Sequence, residues 1–174
     1  FSWHNMPGIP LGHARLREGP MFCASVGLRL VLKGRTAHAS QPETGISPAQ
    51  TLADLIRDLA ALGPGGAMDE EFALVTITYA RLGEPSYGIA AGRAELQATL
   101  RALMPERMAR LRAEAEALAR GIARDAGLKV TLDWHDDFAC TANDAEPTAI
   151  MRRVLDARQV RREEMPEPYR GSED

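Results

Sequence analysis

The run Phe22-Cys23-Ala24-Ser25-Val26-Gly27-Leu28-Arg29-Leu30-Val31-Leu32-Lys33 decides the fold. Phe22, Ala24, Val26, Leu28, Leu30 and Leu32 fall on one side of an extended chain; Ser25, Gly27, Arg29 and Lys33 fall on the other. A period of two with one apolar side is the pattern of a half-buried strand. Working downstream, Gly34 to Gly45 (GRTAHASQPETG) reads as a polar loop. Ser47-Pro48 then opens a helix, with Ser47 as N-cap and Pro48 at the first helical position. Leu52, Leu55, Ile56, Leu59 and Leu62 make its apolar stripe, and Gly63-Pro64-Gly65-Gly66 stops it. The β-branched run from Phe72 to Arg81 is a second strand, and Gly83 to Gly92 is a loop. Ala94, Leu96, Ala98 and Leu100 alternate with Glu95, Gln97, Thr99 and Arg101 in a third strand. Pro105 starts a long helix whose stripe is Met108, Leu111, Ala115, Leu118 and Ile122, with Gly127 as its C-terminal cap. Leu128, Val130, Leu132 and Trp134 then mark a fourth strand.

The order from 22 to 135 is strand, helix, strand, strand, helix, strand. This predicts an α+β fold of the ferredoxin-like split βαβ type: a four-stranded antiparallel sheet with two helices on one face. Residues 1–20 read as irregular, being punctuated by Pro7, Gly8, Pro10, Gly12, Gly19 and Pro20. A weaker helix is expected at about Pro147 to Arg158, followed by a charged, proline-broken tail.

Composition narrows the function. The chain has 174 residues, a net charge of −3 and 5% aromatic residues, which argues against a nucleic-acid surface built on basic charge and stacking rings. Two cysteines, Cys23 and Cys140, make no disulfide framework, and a reducing, cytoplasmic setting is expected. No apolar run approaches the roughly 20 residues of a membrane span, so no membrane partner is expected. No signal peptide is visible, and a chain opening on Phe1 is expected to be a slice of a longer protein.

Four histidines are candidates for chemistry. His13 lies in a polar link and reads as a solvated surface residue. His135 follows Trp134 beside Asp136 and Asp137 and reads as part of a strand-end polar cluster. His4 stands after apolar residues and before a Pro-Gly turn, as at a strand end facing a cleft; it is either a metal ligand or an ordinary polar residue. His38 is in the first loop among Ala37, Ala39 and Ser40, an accessible ring that is either catalytic or plain surface. Ser25 and Ser40 have no His or Asp partner placed by spacing, so a serine triad is not indicated. Both cysteines read as small buried apolar residues. Arg101, the last outward residue of its strand, is either a solvated charge or a fork for a carboxylate.

Several stretches together resemble a known family. Trp3-His4-Asn5-Met6-Pro7-Gly8-Ile9-Pro10-Leu11-Gly12 resembles the HNxPGxPxG segment of bacterial amidohydrolases, the hippurate hydrolase and aminoacylase group of dinuclear zinc metallopeptidases. Lys33 to Pro42 (KGRTAHASQP) is similar to the family's KGxxxHAxxP loop, and Gly45-Ile46-Ser47-Pro48-Ala49 to the GxDPI/A that follows it. Ala94 to Arg101 (AELQATLR) resembles AELxGTxR, and Gly171-Ser172-Glu173-Asp174 resembles the start of GSEDF.

The resemblance implies a metal-dependent hydrolase of N-acyl amino acids or related small amides and peptides, homodimeric through its lid domain. It implies two divalent metal ions, zinc or else manganese, in the intact enzyme. Residues 1–16 and 141–174 would be edges of the metal-binding catalytic domain, and 17–140 a ferredoxin-like lid and dimerisation domain. By the same resemblance His4 is a metal ligand, His38 a catalytic residue that stabilises the oxyanion in the partner subunit's site, and Arg101 a substrate-carboxylate contact. Gly88-Ile89-Ala90-Ala91 stands where the family has NVIP. The other metal ligands and the general base have no counterpart here, so the chain alone is expected to be inactive. A stand-alone ferredoxin-like dimerisation or ligand-binding module is the alternative. An RNA-recognition-like domain shares the plan but needs sheet aromatics and basic charge.

Overall fold

The computed structural model describes residues 2–173. Phe1 and Asp174, the outer limits of the two expected catalytic-domain edges, lie outside the described residues. In chain order the elements are β1 (His13–Leu16), β2 (Gly19–Phe22), β3 (Ala24–Lys33), β4 (Ala37–His38), α1 (Ala49–Leu62), β5 (Ala73–Leu82), β6 (Ile89–Ala90), β7 (Arg93–Ala102), α2 (Pro105–Asp125), β8 (Lys129–Phe138), β9 (Thr141–Asn143), α3 (Ala145–Ala157) and β10 (Arg161–Glu164).

The main sheet is four-stranded, in the order β5-β7-β3-β8, with every neighbouring pair antiparallel. The two strands with the cleanest alternation, β3 and β7, are the central ones. Each has neighbours on both sides and one face under helices, so their apolar positions are almost all buried. Alternation in β5 fades after Ile77, at a bulge where the pairing steps from Ile77↔Ala98 to Tyr79↔Gln97.

Ala24, Val26, Leu28, Leu30 and Leu32 of β3 form one core with Leu52, Leu55 and Leu59 of α1 and the inner face of α2. The stripe of α2 differs from the expected one. Ala119 and Ala123 are fully buried, whereas Leu118 and Ile122 are only partly so. Alanines at the contact let the helix backbone approach the sheet closely, and the larger side chains flank the seam. Pro105 starts α2 as expected, and Gly127 follows it at φ +68°, donating its N–H to Arg124 O at 3.0 Å. At α1 the expected cap is displaced by one residue. Pro48 itself is the N-cap, and Ser47 Oγ accepts only a long 3.4 Å contact from Ala49 N–H.

The stretches read as irregular are partly ordered. β1 pairs in parallel with β10, and β2 pairs antiparallel with β9. α3 covers the first pair through a small cluster of Ala14, Leu16 and Leu155, backed by Met151 and Val160. The loops also hold a two-residue ladder, β4 with β6. Strands this short carry too few residues for a visible period, and their partners are remote in sequence.

Candidate functional site

His4 lies in the irregular segment before β1, not at a strand end as expected. Its ring sits 5.8 Å from that of Phe22, which stacks on Tyr169 at 5.6 Å. His4 Nδ1 is 2.7 Å from Glu173 Oε2. That separation is an ion-pair distance, but the approach lies outside hydrogen-bond geometry, and Oε2 is a buried oxygen without a hydrogen-bond partner. A carboxylate against one imidazole nitrogen is the usual support of a metal-bound histidine, which then offers its other nitrogen. The pair therefore fits part of a metal site. Among the described residues no three His, Cys, Asp or Glu side chains cluster to hold an ion. Both residues line a cleft of about 980 Å³ between the N-terminal segment and α3, together with His13, Phe22, Asp144 and Tyr169. His13 opens β1, half-buried, on the wall of this cleft.

Arg101 is at the same end of the molecule. β7 places it on the outer face of the sheet, where Nη1 donates to Arg170 O at 3.2 Å and to Ser172 Oγ at 3.4 Å. Ser172 is the neighbour of Glu173, so the Arg101 guanidinium steadies the segment that meets His4. Arg170 in turn lies 5.5 Å over the ring of Phe72 and donates to Gly66 O at 3.0 Å.

His38 is at the other end. β3 runs from Ala24, two residues beyond Phe22, to Lys33, and β4 follows it. Ten residues of strand cover about 30 Å. The structure therefore groups His4 with Arg101 and leaves His38 far from both. The His38 loop is tightly held. A Cβ at Gly34 would lie 2.0 Å from Ile46 O, so only glycine allows the chain to turn there. Ala37 and His38 pair with Ala90 and Ile89. His38 Nδ1 accepts from Ser40 N–H at 3.2 Å and meets Ser40 Oγ at 2.7 Å. With Nδ1 an acceptor, the ring proton sits on Nε2, leaving an exposed N–H donor at the distal nitrogen. Ser40 thus has a histidine partner that spacing did not reveal. An i,i+2 contact in a loop carries no periodic signal.

His135 sits within β8, which continues to Phe138, rather than at its end; Asp136 has φ +50° where the pairing with β3 shifts. Arg112 ties this edge down, 4.7 Å over the Trp134 ring and 2.6 Å from Asp137. On the outer face Arg29 grips Glu95 with two hydrogen bonds of 2.8 and 3.0 Å. Those bonds, with one from Gln97, hold the Glu95 carboxyl down at about 2. Sequence reading did not single out this pair; the only signal was opposite charge on two strands whose pairing was not yet known.

Two bacterial deacetylases resemble the chain in sequence. It is 26% identical over 144 residues to an N-acetylcysteine deacetylase of Bacillus subtilis, covering 83% of this chain and 38% of the relative. It is 28% identical over 134 residues to an N-acetyldiaminopimelate deacetylase of Priestia megaterium, covering 77% and 36%. The fold matches a Bacillus subtilis protein described as a dinuclear metal-binding peptidase of the M20 family, with TM-score 0.72, 21% identity, and 97% of this chain and 41% of that one covered. The chain thus spans well under half the length of these relatives. The model of the peptidase dimerisation domain matches residues 23–126, taking in α1, α2 and three of the four main strands, and the chain belongs to that family.

Proposed function

We propose that the chain is the lid and dimerisation part, with flanking edges of the metal-binding domain, of a metal-dependent amidohydrolase. The intact enzyme hydrolyses N-acyl amino acids or related small amides and peptides, and works as a homodimer. The observation that carries this reading is the family match over residues 23–126 in a chain whose curated relatives remove acetyl groups from amino acids.

The division into 1–16, 17–140 and 141–174 has structural support. The β1–β10 pair is parallel and only two strands wide, whereas parallel sheets are normally larger and covered on both faces. It reads as the edge of a sheet completed by sequence outside this chain. The order β5-β7-β3-β8, with the connection strand–helix–strand–strand–helix–strand, supports a ferredoxin-like lid.

In this reading His4 offers Nε2 to a metal ion while Glu173 restrains Nδ1. Two divalent ions, zinc or manganese, supply hydroxide at neutral pH when bound. His38 Nε2–H donates to the substrate carbonyl oxygen as negative charge develops on it. Arg101 holds the amino-acid carboxylate with the part of its guanidinium that Arg170 and Ser172 leave free. Because His38 is about 30 Å of strand away from His4, it serves the site of the second copy. A cytoplasmic setting accords with two unpaired thiols, and among the described residues no helix is long and apolar enough to cross a membrane.

The test is to express the full reading frame that contains this chain and assay N-acyl amino acids, N-benzoylglycine included, with chelation and metal add-back. Metal-restored release of the amino acid is expected. A well-folded protein with neither bound metal nor hydrolysis would overturn the proposal.

A further inference from the structure

Cys23 and Cys140 stand far apart in sequence, but the strand register brings them together. Phe22 pairs with Thr141 in the β2–β9 ladder, and Ser25 pairs with Phe138 in the β3–β8 ladder. Between these pairs each chain has two residues, Cys23-Ala24 on one side and Ala139-Cys140 on the other. The register therefore runs through without a slip and sets Cys23 opposite Cys140. Cys23 N–H is turned the other way, to Gly171 O at 2.8 Å, and Met21 O likewise accepts from Tyr169 N–H at 2.8 Å. Cys23 and Cys140 lie in the gap between the two ladders, and the register on either side sets them opposite each other at a position where Cys23 N–H does not face the Cys140 strand. Antiparallel residues opposed without mutual hydrogen bonds have Cα atoms about 4.5 Å apart, with both side chains on one face. A disulfide spans Cα separations of roughly 4.4–6.8 Å.

We infer that Cys23 and Cys140 form a reversible disulfide that staples the two chain crossings between the main sheet and the flanking β2–β9 layer. These are the crossings at which 24–138 joins the rest of the chain, so the bond pins the base of the proposed lid. The thiols are unequal. Cys23 is fully buried beside Phe72 and Leu103, whereas Cys140 is half-buried at the margin of the main core. Cys140 is therefore the entry point. Its thiolate attacks a low-molecular-weight disulfide such as oxidised glutathione, breaking that S–S bond and releasing one reduced thiol. Cys23 then attacks the Cys140 sulfur, closing the protein disulfide and releasing the second reduced thiol. Two electrons pass from the protein to the small disulfide, and the two cysteine protons end on the released thiols. Burial pushes Cys23 up to about 11 and raises Cys140 as well, so exchange is slow at neutral pH and quickens in mild alkali.

The test uses the full reading frame that contains this chain, treated with oxidised glutathione at mildly alkaline pH and read by intact mass and by mapping of the Cys23 and Cys140 peptides. The wild type is expected to lose two hydrogens, to yield the Cys23 and Cys140 peptides linked, and to melt about 10 °C higher. Cys23→Ala is expected to stop at a glutathione adduct on Cys140, and Cys140→Ala to take up none. A wild type that retains the adduct at Cys140 while Cys23 stays free, or that links only between chains, would overturn the inference. An unchanged melting temperature in the oxidised chain would overturn the staple.

Discussion

If His38 serves the second copy's site, two defective subunits should repair each other. In the full-length dimer, His38→Ala removes the oxyanion donor and should lower kcat by about 10²–10³. His4→Ala removes a metal ligand and should abolish metal-dependent turnover. Within one subunit the two residues are separated by the length of β3, about 30 Å, far more than a histidine side chain can reach. Each site is then built from His4 of one copy and His38 of the other. When the two variants are mixed and their subunits exchanged, half the dimers are mixed. In each mixed dimer one site has both histidines and the other has neither. Activity should therefore recover to about one quarter of wild type, some 25- to 250-fold above His38→Ala alone. The assay is amino-acid release after exchange, with subunit mixing verified by mass on differently tagged chains. Activity that stays at the sum of the separate variants, once mixing is verified, would show that each subunit builds its site alone.

Four other outcomes follow from the geometry. Glu95 has its carboxyl pKa depressed by Arg29, so the pair's contribution is complete above about pH 4.5 and is lost as pH falls toward 2. Both side chains are partly solvated, so Arg29→Ala should lower the urea midpoint slightly at pH 7 and progressively less at pH 3; an equal loss at both would refute the assignment. Leu111→Ala, at a fully buried site, should cost about 2–5 kcal/mol by denaturant melts, and a cost below 1 would mean that the core collapses around it. Ala119→Leu should also destabilise, by about 1–3 kcal/mol, because the α2 seam has no room for three more carbons; a neutral result would mean the helix is not close-packed there. Ser40→Ala keeps the backbone N–H bond to His38 Nδ1 and removes only the hydroxyl contact, so it should lower kcat several-fold with little change in KM if that hydroxyl orients the ring, and a pure KM effect would assign it to binding instead.

By itself the sequence determined the layers. Alternation in β3 and β7 and the three-and-four spacing in α1 reflect side chains that must leave water along one face, and a local period records that requirement directly. It also marked His4, His38 and Arg101, each of which spacing alone leaves between a functional role and an ordinary structural one. Tertiary structure decided the rest. The strands β1, β2, β4, β6, β9 and β10 exist because remote backbone partners meet, and two to four residues are too few to show a period. The face of α2 turned toward Ala119 and Ala123 because close approach to the sheet outweighed the burial of the larger Leu118 and Ile122. The contact of His4 with Glu173 spans almost the whole chain, and the separation of His38 from both follows from the length of a strand. Contacts of that kind are set by register and packing between distant segments, for which a one-dimensional pattern holds no record.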